Sequence, residues 1–241
     1  MAGVAAIDDA TRRIQAGTGD VFLVGGACNA ERSDSLLNLQ LCGLLWKGPR
    51  RSVWQRGEHG GGVILGSLGA FLVLESAAHA SARGRRPYAR IATVRSGNRR
   101  RDDDAPFASE VADAMRAWLS QKNAAEPAVI LSGASGSSPA TGQELAWIED
   151  LSKHGVAPAV RAFGTALGHA VEAQFPTGLV LAALAISKGQ FFAPFDSSGI
   201  ERPCTDAITH IAVTTFGCRR GEGIALLEAI PAQARTDNDR V

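Results

Sequence analysis

His169 is the residue whose setting most favours chemistry. It stands in the stretch Arg161 to Gly189, RAFGTALGHAVEAQFPTGLVLAALAISKG, after a glycine-rich turn and before a run that is apolar on nearly every face. Val171, Phe175, Leu179, Val180, Leu181, Leu184 and Ile186 are interrupted only by Glu172 and Gln174, so this helix has no solvent face and belongs inside a domain. At the N-terminus of a buried helix, unpaired N–H groups and the positive dipole end keep an imidazole neutral and attract a developing oxyanion. The simpler alternative is a histidine that only caps a packed helix.

Two other glycine-containing turns follow apolar runs: SGASGSS at 132–138 and TFGCRRGEG at 215–223. Sites in α/β sheets gather at the carboxyl ends of strands. Ser135, with Asp150 and His169 downstream, offers the order of a serine hydrolase, but the GxSxG elbow would need glycine where Ser137 stands. Neither GxGxxG nor GK[ST] is present, which removes the phosphate-cradling loops. Cys28, Cys42, Cys204 and Cys218 are scattered without metal-ligand spacing; they read as reduced core thiols, and no metal or cofactor is expected.

The elements that must position these turns alternate between helix and buried strand. Residues 2–16 have helical spacing and stop at Gly17; VFLVGG, 21–26, reads as a strand buried on both faces. A broken helix and a glycine-rich loop occupy 28–62. GVILGSLGAFLVLE, 62–75, reads as two strands or one bent strand, and a short helix runs to Gly84. Beyond Pro87 come a strand and the charged loop Arg99 to Asp104, a helix with Phe107, Val111, Met115, Trp118 and Leu119, the strand AVILSG at 128–133, and a helix from Thr141 to Leu151. Two strands, 208–217 and 223–230, flank CRRGE, and 231–241 reads as a flexible tail. This order indicates an α/β protein with a parallel or mixed sheet covered on both faces.

At 45% hydrophobic and 20% charged residues the 241-residue chain is globular in composition. Its net charge of +1 gives no field for nucleic acid or an anionic membrane. Acidic Asp8 and Asp9 stand where a signal peptide would be basic, and the apolar run 179–186 is too short to span a bilayer, so a cytoplasmic location is expected.

Four segments together resemble one family. AGVAAIDDATRRIQAGTGDVFLVGG (2–26), GVILGSLGAFLVLESAAHASARG (62–84), GTALGHAVEAQF (164–175) and FGCRRGE (216–222) are similar to the AIxxAxxxIxxGxxDxxLVGG, GFVxGEGAxxLVLExxxxAxxRG, KSxxGHxxGAAG and FGFGGxN segments of β-ketoacyl-acyl-carrier-protein synthases, in the same order. The chain resembles the C-terminal three-fifths of these thiolase-fold condensing enzymes of fatty acid and polyketide synthesis. The resemblance implies the end of the N-terminal half over 1–87 and the complete C-terminal half over 88–230. It implies an acyl-thioester on a cysteine, two histidines supporting decarboxylation of malonyl-carrier protein, and attack of the carbanion on the acyl group.

Carried over by residue, His169 matches the second catalytic histidine and Phe216 the phenylalanine that gates the acyl pocket; Thr165 and Ser132 fall in the substrate-binding turns. The pattern then breaks. The cysteine falls before Met1, Ser132 occupies the place of the first histidine, Gly164 that of the lysine, and Ser67 that of the glutamate in GEGA. Losing one preorganised donor costs about 2.7 to 4 kcal/mol in the transition state. The implied protein is inactive alone: either a shortened ketosynthase, or a chain-length-factor-like subunit that shapes the acyl tunnel of an active one. Its expected partners are acyl carrier protein and a second subunit, in a homodimer or a heterodimer with an active ketosynthase. Exposed edges and apolar surface around 2–75 also predict poor solubility alone.

Overall fold

The computed structural model describes residues 1–97 and 128–230, and the backbone of 98–100. The expected helix from Phe107 to Leu119, the acidic end of the charged loop and the tail 231–241 lie outside the described residues.

Helix α1 (Ala2–Gln15) turns Val4, Ile7 and Ala10 inward at helical spacing and ends before Gly17, whose φ of +68° breaks the helix. Strand β1 (Val21–Cys28) pairs antiparallel with β2 (Leu68–Glu75), from Val21 opposite Glu75 to Cys28 opposite Leu68. Between them lie α2 (Ser33–Leu41), which buries none of its residues, and α3 (Val53–Glu58). A capping box starts α3: Ser52 accepts the N–H of Gln55, and the Gln55 side chain accepts the N–H of Ser52. After β2, Ser76 caps α4 (Ala77–Ala82) through the N–H of His79.

The larger sheet contains β3 (Arg90–Arg100), β4 (Val129–Ser132), β5 (Ala159–Ala162), β6 (His210–Phe216) and β7 (Arg220–Glu228), in the order β3-β7-β6-β4-β5. β4 runs parallel to β5 and β6, while β7 is antiparallel to β6 and β3. The remaining α-helices among the described residues are α5 (Ala140–Lys153), the one-turn α6 (Gly164–Leu167) and α7 (Gln174–Lys188).

Strand alternation divides the core. Val129, Leu131, Ile211, Val213, Ala225 and Leu227 face the α7 side with Phe175, Leu179 and Ala182. Ile130, Ala212, Ile224 and Leu226 face the other side with Trp54, Trp147, Ile148 and Leu151. Covering both faces explains why β4, β6 and β7 read as continuous apolar runs. α7 also packs on β2, so one helix ties the small sheet to the large one. Full burial of each Leu, Val or Phe here contributes roughly 1.5–3 kcal/mol.

Several expectations are corrected. β1 is not buried on both faces: its exposure alternates, and Leu23 and Val73, directly opposite across the strands, are 71% and 61% exposed. β1 packs on α1, α7 and a 3-10 turn, and its other face is exposed at Val21, Leu23, Gly25 and Ala27. An apolar run of six residues does not distinguish one covered face from two. The 62–75 segment contains one strand, preceded by isolated bridges from Val63 to Leu45 and from Leu65 to His169. None of the cysteines is fully buried: Cys42 is exposed, Cys28 and Cys218 are half-buried, and half-buried Cys204 packs against the core on the α7 side. α7 does have a solvent face, at Leu184, and begins at Gln174, so His169 precedes it by five residues. Among the described residues, no helix is long and apolar enough to cross a membrane.

Candidate functional site

The chain leaves β5, makes the single turn of α6 and reverses at Gly168, whose φ of +77° favours glycine. His169 follows, and its backbone is held by a neighbouring loop. The His169 N–H donates to the Ile64 carbonyl at 2.8 Å, and the His169 carbonyl accepts the Gly66 N–H at 3.1 Å. A Cβ on Gly66 would lie 1.9 Å from the Leu167 oxygen, so this approach of two loops requires glycine there. Two residues on, Val171 has φ +50°, a costly conformation for a β-branched residue, and opens the 3-10 turn Val171–Ala173. Buried Gln174 closes the arrangement by accepting the Ala170 N–H at 2.8 Å.

A cavity of about 280 Å³ borders the histidine, with Val171, Phe175, Phe216 and Cys218 in its wall and Arg219 and Arg220 beside them. Phe216 ends β6, and its ring lies 6.5 Å from that of Trp147. The β6–β7 turn that presents Phe216 and Cys218 is closed by the Gly217 N–H on the Gly221 carbonyl at 2.9 Å. Two segments more than forty residues apart in sequence therefore meet across one space.

Nδ1 of His169 is shut off from solvent and has no hydrogen-bond partner among the described residues. Burial pushes the pKa of the ring down to about 4, and the nearby Arg56 guanidinium adds to the effect, against an opposing pull from Glu172. The imidazole is neutral at physiological pH, and its donor position depends on the tautomer it adopts. Arg56 is itself buried, donating to the carbonyls of Gly62, Arg51 and Ser135 at 2.9, 2.8 and 3.0 Å, and burial lowers its pKa to about 10. It remains a cation.

Ser132 and Thr165 lie elsewhere. The Ser132 hydroxyl donates to Glu144 Oε1 at 2.8 Å and accepts the Ala134 N–H at 3.1 Å; Thr214 donates to the same Glu144 oxygen at 2.6 Å. All three side chains are buried in the core. Thr165 Oγ1 accepts the Val53 N–H at 3.1 Å and so serves the start of α3. A Cβ on Gly164 would sit 2.9 Å from the Ala134 oxygen and 3.3 Å from Val53 Cγ2, leaving little room for a longer side chain. The hydrolase trio is not assembled: Ser135 Oγ meets Ser137 Oγ at 2.7 Å, while Asp150 is next to His154 on the surface. Among the described residues, no group of three His, Cys, Asp or Glu side chains could hold a metal ion.

Sequence reasoning missed two groups. Arg56 lay in a segment read as a basic loop, where nothing distinguishes a buried guanidinium from a solvated one. Cys218 was read only as a reduced core thiol, and its place in the cavity wall follows from the β6–β7 turn, which spacing along the chain does not record.

No protein-family model and no curated protein matches the sequence. Solved structures do. The ishigamide ketosynthase/chain length factor superposes with a TM-score of 0.73 at 22% identity, covering 95% of this chain and 59% of its own. A type II polyketide synthase acyl-carrier protein in complex with its hexaketide-bound ketosynthase gives 0.73 at 19%, covering 95% and 61%. The module 6 ketosynthase of the Bacillus subtilis bacillaene synthase gives 0.74 at 16%, covering 97% and 45%. The fold is that of the ketosynthases. The chain spans about three-fifths of the length of the first two matches. In this thiolase-like fold, the turn carrying His169 and the β6–β7 turn carrying Phe216 share one cavity, while the turn carrying Ser132 points its hydroxyl into the core.

Proposed function

We propose that this chain is a ketosynthase-family subunit of fatty acid, polyene or polyketide synthesis that holds an acyl chain without condensing it alone. It works in the cytoplasm beside an active ketosynthase and meets an acyl carrier protein, in the manner of a chain length factor. One observation carries this reading: only His169 and Phe216, of the residues expected to act, line the cavity, while Ser132 is tied to Glu144 and Gly164 brings no side chain. A neutral imidazole and an aromatic wall suit an uncharged acyl group and can donate one hydrogen bond to its carbonyl. They do not supply the paired donors that enolate formation from malonate needs. The division into an N-terminal remnant over 1–87 and a C-terminal half over 88–230 belongs to the same reading; the small sheet lies in the first and the large sheet in the second.

The test is malonyl-carrier-protein decarboxylation, measured with the chain alone and with a co-expressed active ketosynthase. No carbon dioxide above background is expected from the chain alone, and a changed product length is expected from the pair. Turnover by the isolated chain overturns the proposal.

A further inference from the structure

Arg56 is a fully buried cation, and among the described residues no carboxylate pairs with it. Such a group is costly, and what it obtains here is reach. Its three acceptors belong to three segments: Arg51 precedes α3, Gly62 ends the glycine turn after α3, and Ser135 lies in the 132–138 turn, 79 residues along the chain. The two turns meet backbone to backbone around the guanidinium. The Gly61 N–H donates to the Arg56 carbonyl at 2.8 Å, and the Gly62 N–H donates to the Gly136 carbonyl at 2.7 Å. A Cβ on Gly136, whose φ is +84°, would lie 2.5 Å from Arg56 Nε, and one on Gly61 would lie 2.5 Å from the Ser138 nitrogen. Glycine at these places is therefore a condition for the arginine to fit. Both turns lead to the cavity. Beyond Gly62, the Ile64 carbonyl and the Gly66 N–H hold the backbone of His169; in the other turn, the Gly133 N–H donates at 2.8 Å to the carbonyl of Thr214, in the strand that ends at Phe216.

We propose that Arg56 is a positioning residue of the acyl cavity: its guanidinium locks the 61–66 segment to the 132–138 turn and so sets where His169 stands relative to Phe216. It touches neither the cavity nor a ligand and acts through the backbone of both walls. The planar fork is what spans separate carbonyls; a lysine would keep the charge and lose the fork. The charge has a second effect. After burial itself, Arg56 is the largest influence holding the His169 ring in its neutral form, with the Met1 amine acting in the same direction and the Glu172 carboxylate opposing them. Geometry and charge can therefore be separated by choice of substitution. The proposal rests on the acyl-binding reading of the cavity given above.

Arg56→Lys and Arg56→Gln are made in the full chain. Three quantities are read: the melting temperature, the Kd for a fluorescent fatty acid, and the titration of the His169 imidazole by NMR, assigned by its loss in His169→Gln. Arg56→Lys should weaken binding roughly ten-fold and leave the His169 titration where it is in the wild type. Arg56→Gln should weaken binding to a similar extent and move the titration upward, because the cation is gone. An arginine that only fills space would lower the melting temperature of both variants and change nothing else. Unchanged binding in Arg56→Lys, or an unchanged titration in Arg56→Gln, overturns the proposal. Should either variant fail to fold, hydrogen exchange of the wild type decides: the amides of Gly62, Gly66 and His169 should open together with one common free energy, and separate openings overturn the assignment. A wild type that binds no fatty acid overturns the acyl-binding reading, and the titration and exchange results then still judge Arg56.

Discussion

Acidification should destabilise this protein through His169 before most of its carboxylates titrate. The ring titrates at about 4 in the fold, against about 6.5 in an unfolded chain. A base whose folded pKa is depressed leaves the unfolded state holding more protons between those two values. Its contribution to stability is therefore complete above pH 6.5 and declines as pH falls toward 4. Between pH 7.5 and 5.5 the linkage relation gives a loss of about 1.3 kcal/mol. This is an upper figure, because part of the ring faces the cavity. Among the other groups acting on the ring, the Arg56 cation and the Glu172 carboxylate, whose pKa is itself lowered, keep their charges throughout that interval, and the Met1 amine adds a smaller push in the same direction as Arg56. Urea unfolding at both pH values, at fixed protein concentration, reads the effect as a midpoint shift of roughly 0.5 M. His169→Gln removes the titrating group, so its midpoint should move less than that of the wild type. Equal shifts in the two proteins would refute the desolvated, neutral imidazole and, with it, its role as a donor at neutral pH.

Ser132→Ala should lower stability by about 1–3 kcal/mol in urea unfolding, because the buried Glu144 carboxylate loses a donor and the Ala134 N–H loses an acceptor; it should leave fatty acid binding in the His169 cavity unchanged, and weakened binding would return Ser132 to the site. Leu23→Lys combined with Val73→Glu places an opposite-charge pair directly across β1 and β2 on their outward face. Light scattering should show less self-association than the wild type, with little change in melting temperature; a wild-type chain that is already monodisperse would refute the view that this face makes it sticky.

The pattern of apolar residues along the chain determined much of this fold. Periods of 3.6 in residues 2–15 and 140–153, and short apolar runs at 129–131, 211–213 and 224–227, are direct consequences of which faces a helix or strand must bury. Glycines around 66, 168 and 217 marked turns, and the order of four short segments pointed to the ketosynthase fold. Local pattern also placed Phe216 at a strand end and His169 after a glycine turn.

Only the tertiary structure decided which of the candidate residues face a common space. Burial of a side chain depends on what packs against it from distant parts of the chain, and sequence spacing does not record that. Ser132, in a turn that looked functional, points into the core because Glu144 and Thr214 meet it there. Thr165, four residues before His169, faces the N-terminus of α3 instead of the cavity. The one-sided burial of β1 follows from its partner β2 and the helices on one side, none of which its own six apolar residues specify. The lowered pKa of His169 likewise arises from its burial and from Arg56, over a hundred positions away in sequence. What the sequence determined was the chemistry available at each turn; which groups could use it together was set by packing between segments far apart in the chain.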